Sequence, residues 1–167
     1  VFSSLLWVHF YLMRRSLLLL FLATNDFAQS PNTAWDTTIA AAVASLQEQL
    51  VSTRRHLHQN PELSNQEKLT GQFIATRLQK LGYTDIRTGI GGNGIVAVLK
   101  GGKPGPVVAW RTDMDALPID ESSYDVPYKS TVKGVKHACG HDAHMAVALG
   151  LAEFFMKIKA DVPGSIK

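Results

Sequence analysis

The residues best suited to chemistry lie in one short segment, residues 137–144 (HACGHDAH). It contains the only cysteine of the chain and three of its six histidines. Thiolate sulfur and imidazole nitrogen are the strongest ligands that a protein offers to a divalent transition metal. Cys139 and His141 are two residues apart where a loop meets a predicted helix, so both can face one ion. They are the candidate metal ligands. For the cysteine alone, the alternative is a buried small hydrophobic residue.

An acidic cluster, residues 111–115 (RTDMD), follows an apolar run shortly upstream. Asp113 is a candidate catalytic-site residue, because an aspartate here could orient a ligating histidine. Asp115 could do the same or could hold its own loop through backbone hydrogen bonds, and the pattern leaves both open. Arg111 could neutralise this charge or bind a substrate carboxylate. The two clusters together predict a metal-dependent hydrolase.

The lone cysteine limits the kind of metal site. A closed structural zinc site takes four ligands, usually in two pairs with CxxC spacing. One cysteine excludes a site of three or four cysteines, and an open catalytic site with mixed ligands fits better. His137 and His144 could bind the metal, orient a ligand or make simple polar contacts. For each of them alone, a role other than ligand is favoured.

A third polar group consists of His56, His58 and Glu62, at the end of the first predicted helix. The two histidines are two residues apart, so they do not share a helical face. Packing and hydrogen bonding at the helix end explain these histidines at least as well as metal binding does.

Composition narrows the choice of partners. The 167-residue chain has 17 basic and 14 acidic side chains, a net charge of +3, and no block of like charge. This argues against nucleic acid or an anionic surface as a partner. The length allows one domain or a piece of a larger one. A single cysteine cannot form an internal disulfide bond.

The first thirty residues resemble an export signal. A positive segment at residues 13–15 precedes a short apolar core at residues 16–23, and small residues that allow cleavage follow at Ala28 and Ser30. The core is shorter than the roughly 20 residues that span a bilayer. Residues 1–30 are therefore predicted to be a signal peptide or an upstream apolar segment, and the protein to be periplasmic or secreted. An uncleaved membrane anchor is the alternative.

The remaining pattern alternates helices and strands. A helical repeat starts at Asp36 and is limited by Pro61. A capping box at residues 64–67 (SNQE) predicts a second helix, which Gly82 ends. Two extended runs, 94–100 and 106–110, are joined by a glycine- and proline-rich turn, which predicts a hairpin or adjacent strands.

The end of the chain continues this alternation. A buried helix is predicted at residues 145–158, and another strand begins near Ser165. The glycine-rich run 89–94 (GIGGNG) precedes a strand rather than a helix, so it predicts a turn and not a phosphate-binding loop. The whole pattern predicts an α/β layered domain. In such domains ligands gather beyond the carboxyl ends of strands, where both polar clusters lie.

Three stretches in this order, RRHLHQNPELSNQEKLT, PGPVVAWRTDMDALPIDE and HACGHDAHMA, resemble the amidohydrolase branch of the metal-dependent aminoacylase and carboxypeptidase family. The resemblance implies a three-layer α/β/α catalytic domain, of which residues 31–167 are the N-terminal part. It also implies hydrolysis of the amide bond of small N-acyl-amino acids by water that two divalent metal ions activate. Zinc or manganese is expected, and cobalt or nickel can occupy related sites.

By this resemblance, Cys139 is a thiolate ligand that bridges the metals, His141 is a further ligand, and Asp113 orients the centre. Arg111 stands where other branches place a histidine ligand. The remaining polar residues of the motif, His137, Asp142 and His144, are not expected to be ligands.

The resemblance places the general base, a glutamate, beyond Lys167, together with further ligands and a dimerisation domain. We therefore expect the chain alone to be weakly active or inactive and the full-length protein to be a homodimer. One alternative is a non-catalytic module that binds a metal or a partner. Another is an enzyme that uses Cys139 as a nucleophile.

Overall fold

A computed structural model describes residues 33–167, and the predicted signal peptide at residues 1–30 lies outside them. None of the helices in the described part combines the length and the hydropathy that crossing a bilayer would require. Residues Ala41–Lys167 form one compact unit. The helices and strands follow one another in the order α1 (Thr33–Gln59), α2 (Lys68–Lys80), β1 (Asp85–Ile90), β2 (Gly94–Lys100), β3 (Lys103–Val108), α3 (His141–Lys157), a 3-10 turn (Lys159–Asp161) and β4 (Pro163–Ile166).

The first helix confirms the predicted helical pattern, and it ends before Pro61 as expected. Its predicted apolar face is only partly buried. Leu46 and Leu57 are buried, whereas Val51, predicted on the same face, is 42% exposed.

The start of α2 differs from the prediction. The predicted capping box at residues 64–67 supplies no side-chain cap at the start of the helix. Instead, the Glu62 carboxylate accepts hydrogen bonds from the backbone N–H groups of Leu69 (3.1 Å) and Thr70 (2.7 Å). A carboxylate at this end is also favoured by the helix dipole. Gly82, with φ of +94°, ends the helix as predicted.

The four strands form one mixed sheet in the order β1-β2-β4-β3. β1 and β2 are an antiparallel hairpin whose turn lies inside residues 89–94, which confirms the predicted turn. β4 lies between β2 and β3, antiparallel to the first and parallel to the second. The predicted pairing of these two strands, as a hairpin or as adjacent strands, is therefore wrong. The reason is that Gly101 donates a hydrogen bond to Gly164 of β4, so the connecting residues bind the incoming strand.

The hydrophobic core lies between the sheet and the two helices α2 and α3. Its buried members are Leu78, Tyr83, Leu99 and Leu149, one each from α2, the following loop, β2 and α3. Burying a leucine side chain contributes about 1.5–3 kcal/mol. The predicted α/β class is confirmed. Every residue of β3 is exposed, and the second helical layer of the predicted α/β/α arrangement stays a prediction.

Gly164 allows β3 and β4 to approach each other. It has φ of +75°, and a Cβ atom there would collide with the backbone carbonyl of Pro106. Gly164→Ala should lower the free energy of unfolding by about 3 kcal/mol or more, since backbone strain and a clash add. Urea denaturation followed by circular dichroism measures the loss.

Gly134→Ala is the matched control for this substitution. Gly134 has φ of +73° but open space around its Cβ position. Its replacement should cost only the strain, about 1–2 kcal/mol. Equal losses in the two variants would show that close approach of the strands does not require Gly164.

Candidate metal centre

Two segments that are distant in sequence meet at the site. Leu117 and Lys136 exchange backbone hydrogen bonds of 2.9 and 3.0 Å, and Ala116 donates one to the carbonyl of Glu62 (2.8 Å). These bonds hold the residues after the acidic cluster against the start of the cysteine and histidine segment. The two polar clusters that the sequence singled out are therefore neighbours.

His141 lies directly against the acidic cluster. Its Nδ1 atom is 2.8 Å from the backbone carbonyl oxygen of Asp115 and 3.0 Å from that residue's carboxylate. Both neighbours are acceptors, so Nδ1 carries the proton and donates it. The lone pair is then on Nε2, which lies 3.9 Å from a carboxylate oxygen of Asp113. A backbone carbonyl that fixes one ring nitrogen is the usual support for a metal-binding histidine.

Cys139 carries an exposed free thiol. The next residue, Gly140, has φ of +89° and forms the N-cap of α3. Its carbonyl accepts hydrogen bonds from the N–H groups of Ala143 and His144 (3.1 and 3.0 Å). Only glycine adopts this left-handed conformation without strain. The thiol therefore precedes the first turn of α3, and the His141 imidazole opens it.

Asp113 is half-exposed and pairs with Arg111, whose guanidinium nitrogen is 2.9 Å from the other carboxylate oxygen. The Arg111 side chain is 88% exposed. Such an exposed pair is worth about 0–1 kcal/mol, so it is readily exchanged for another ligand. This ion pair fits the first of the two roles open to Arg111, neutralising the acidic cluster, and binding of a substrate carboxylate stays a prediction.

Within residues 33–167, no three histidine, cysteine or acidic side chains are grouped closely enough to hold a metal ion. Cys139 and His141 provide two donors of the right chemistry. A catalytic zinc site takes three protein ligands. These two residues therefore fit part of a centre, and the predicted two-metal centre stays a prediction.

The other two histidines of the motif differ sharply. His137 is 4% exposed, and neither ring nitrogen has a hydrogen-bond partner. Its burial lowers its pKa, which favours the neutral ring. His144 is exposed, with its ring centre 6.1 Å from that of His141.

The third polar group separates into structural roles. His56 is exposed and stacks on Phe73, with ring centres 4.6 Å apart. The Glu62 carboxylate accepts hydrogen bonds from backbone N–H groups at the start of α2. His58 is buried and hydrogen-bonded at the end of α1. The structure therefore supports packing and hydrogen bonding, rather than metal binding, as the role of these residues.

The sequence did not point to a network of charged side chains beneath the site. We call it the buried network, and it consists of Arg54, His58, Glu121, Lys136 and Asp142. His58 contacts Asp142 through Nδ1 (2.7 Å) and Glu121 through Nε2 (3.1 Å). Arg54 contacts the same oxygen of Asp142 (2.7 Å), and Lys136 contacts Glu121 (3.4 Å). The only sequence signal was Asp142 within the motif, because Glu121 lies in an irregular loop.

The buried network changes the acidity of Glu121. Burial alone raises the pKa of this carboxyl group. The backbone N–H of Ser130 and the contacts with His58 and Lys136 outweigh burial, so the pKa lies below its ordinary value of 4.5.

Similarity to known proteins follows the same segments. The model of the family described as Peptidase family M20/M25/M40 matches residues 109–167, which include Asp113, Cys139 and His141. Thermostable carboxypeptidase 2 of Saccharolobus solfataricus is 45% identical over 126 residues, 75% of this chain and 32% of the relative. The N-acyl-L-amino acid amidohydrolase of Geobacillus stearothermophilus is 42% identical over 129 residues, 77% of this chain and 34% of the relative.

A solved structure shows the same relationship. The crystal structure of the Bacillus subtilis YXEP protein, described as a dinuclear metal binding peptidase from the M20 family, superposes with a TM-score of 0.68. The sequence identity is 38% over 74% of this chain and 34% of that chain.

The α/β fold and these similarities are those of metallopeptidase-like hydrolase domains. The chain contains part of a domain of the peptidase family M20/M25/M40, at residues 109–167. It spans about a third of the length of the relatives named here. The resemblance seen in the sequence motifs is thereby confirmed.

A pH dependence follows from the lowered pKa of Glu121. Its carboxylate stabilises the fold fully above the ordinary pKa of 4.5, and this stabilisation is lost as the pH falls through the folded value. Glu121→Gln should lower the free energy of unfolding at pH 7 by about 3 kcal/mol, because the Lys136 ammonium group and the buried His58 ring lose a charged partner. The gap between the variant and the parent should close as the pH falls below 4.5.

Urea denaturation at a series of pH values measures this gap. Asp85→Asn removes a carboxylate from an exposed pair with Arg87 and should show no comparable gap. A gap for Glu121→Gln that stays constant down to pH 3 would contradict the lowered pKa.

Proposed function

We propose that this chain forms part of a metal-dependent amidohydrolase that cleaves the amide bond between an acyl group and an amino acid. The observation that carries the proposal is the approach of His141 Nε2 to the Asp113 carboxylate (3.9 Å), two residues after the exposed Cys139 thiol and within the segment that the family model matches. The relatives named carboxypeptidase and N-acyl-L-amino acid amidohydrolase support this substrate class. A small peptide-like substrate is the expected partner.

The two proposed ligands suit a divalent metal of the first transition series. Thiolate and imidazole favour zinc, and manganese, cobalt or nickel can occupy related sites. The similarity to the YXEP protein, a dinuclear metal binding peptidase, supports a pair of ions. Bound ions would polarise the scissile carbonyl and lower the pKa of a bound water molecule.

Neighbouring residues orient the proposed ligand His141. The hydrogen bond from His141 Nδ1 to the Asp115 carbonyl keeps the lone pair on Nε2 for the metal. Asp113 lies 3.9 Å from Nε2, where its negative charge would favour a cation bound to that nitrogen. Arg111 holds Asp113 from the solvent side and could also bind a substrate carboxylate.

Three further expectations belong to this proposal. The general base lies beyond Lys167, so the chain alone does not turn over substrate. The complete enzyme is a homodimer. Residues 1–30 direct export, and N-terminal sequencing of the exported protein would show cleavage after Ala28 or Ser30 if they do.

Cys139→Ala should lower the affinity of the chain for Co²⁺ by at least about tenfold, because the soft anionic ligand is lost. The thiolate-to-cobalt charge-transfer absorption of the parent chain should also disappear. A cobalt titration followed by absorption spectroscopy measures both.

His144→Ala is the matched control, since this neighbouring histidine is not expected to be a ligand. It should leave the cobalt affinity and the absorption band unchanged. An unchanged band in Cys139→Ala would exclude the cysteine as a ligand. Loss of cobalt binding in His144→Ala alone would show that His144, and not Cys139, is a ligand.

Activity can be tested with the chain and with a chimera. The purified chain with Zn²⁺ or Mn²⁺ should release no amino acid from N-acetylmethionine. A chimera in which the matched segment of this chain replaces that of the Geobacillus stearothermophilus amidohydrolase should be active.

Asp113→Ala in this chimera should lower kcat by at least about tenfold with its melting temperature retained.

Turnover by the chain alone would contradict the expectation that the general base lies beyond Lys167. A folded, metal-loaded chimera without activity would contradict the proposed reaction, because it would show that this segment does not support it.

A further inference from the structure

Asp142 is the best-buried charged residue of the described part, with 1% exposure. One carboxylate oxygen accepts hydrogen bonds from Arg54 Nε and His58 Nδ1, both at 2.7 Å. Both donors belong to α1, whereas Asp142 lies in the first turn of α3. The carboxylate therefore joins two helices through residues that are 84 positions apart in sequence.

This aspartate does not act as an ordinary helix cap. An acidic residue in the first turn commonly satisfies free backbone N–H groups of its own helix. The start of α3 has no side-chain cap, and the Asp142 carboxylate reaches across to α1 instead. Burying such a pair adds little net stability, because desolvation offsets attraction. Its effect is to fix geometry.

The geometry that it fixes is the rotation of α3 about its axis. Successive residues of a helix point about 100° apart. When Asp142 points to α1, the preceding residue, His141, points to the acidic cluster and donates Nδ1–H to the Asp115 carbonyl. Rotation of the helix would break this bond and release the imidazole.

The acidic cluster is tied to the same network from the other side. His58 has carboxylates at both ring nitrogens, and its Nε2 contacts Glu121. Glu121 also contacts the ammonium group of Lys136 (3.4 Å), whose backbone pairs with Leu117. The donor and the acceptor of the bond from His141 to Asp115 are thus both anchored to the buried network.

We infer that Asp142 is a positioning residue, which holds α3 through Arg54 and His58 so that His141 presents Nε2 to the metal. The metal in this statement rests on the proposed function. The hydrogen bond between His141 and Asp115 does not, so it can be tested without metal.

The first measurement uses the metal-free, full 167-residue chain. Ring ¹⁵N chemical shifts report which nitrogen of His141 carries the proton. The parent chain should show the proton on Nδ1. Asp142→Ala should show a mixture dominated by the Nε2–H form that an unconstrained imidazole prefers. A loss of stability alone would not change this signature in the folded protein.

The second measurement is a Co²⁺ titration of the same chains. Asp142→Ala should bind cobalt at least about tenfold more weakly than the parent chain, as expected when a ligand loses its support. Asp142→Asn keeps an acceptor oxygen for Arg54 and His58, so its tautomer and affinity should lie between the two. This conservative variant also keeps the test decisive if the alanine variant does not fold.

Asp161→Ala is the matched control, because it removes an exposed carboxylate that pairs with Lys103 in the turn after α3. It should behave as the parent chain in both measurements. An unchanged His141 tautomer and cobalt affinity in both Asp142 variants would overturn the inference and leave the proposed function standing. A parent chain without a thiolate–cobalt band would overturn the proposed function, and the tautomer measurement would then decide the inference alone.

Discussion

The contact of the buried Asp142 carboxylate with Arg54 and His58 governs the arrangement of this domain. Apolar burial holds α2 and α3 against the sheet, but apolar contacts are not directional. A charged hydrogen bond at a buried carboxylate is directional, and a broken one leaves charges uncompensated. The core therefore supplies stability, and this contact supplies the orientation of α3 relative to α1.

Two segments of the chain reach the site, one from the sheet and one from the buried network. Beyond β3, the chain passes Trp110, which donates a hydrogen bond to the Lys167 carbonyl (2.8 Å), and then enters the acidic cluster. The cysteine and histidine segment arrives through Lys136, after a long irregular loop. Backbone bonds between these two passages bring the His141 imidazole against the carboxylates of Asp113 and Asp115, although they come from separate parts of the sequence.

The features that depend on local sequence pattern could be predicted from the sequence. The helices, β2, the turn before it and the chemistry of Cys139 and His141 follow from periodicity, glycine conformation and ligand type. Sequence reasoning missed β1, where only Ile86 is partly buried and no alternation marks a strand. It also mispaired β2, because insertion of β4 is a long-range event without a local signal. The burial of Glu121 could not be predicted for a similar reason, because it depends on partners that are far away in the sequence.

The outer edge of β3 has a consequence for the behaviour of the chain in solution. Val108 and Trp110 direct backbone groups to Lys167 beside them, so those of Val107 face away from β4. The end of the strand is apolar and exposed, since Val107 and Val108 are 67% and 55% exposed. Association of copies in concentrated samples should begin at this short stretch, beside the acidic cluster, and should mask it.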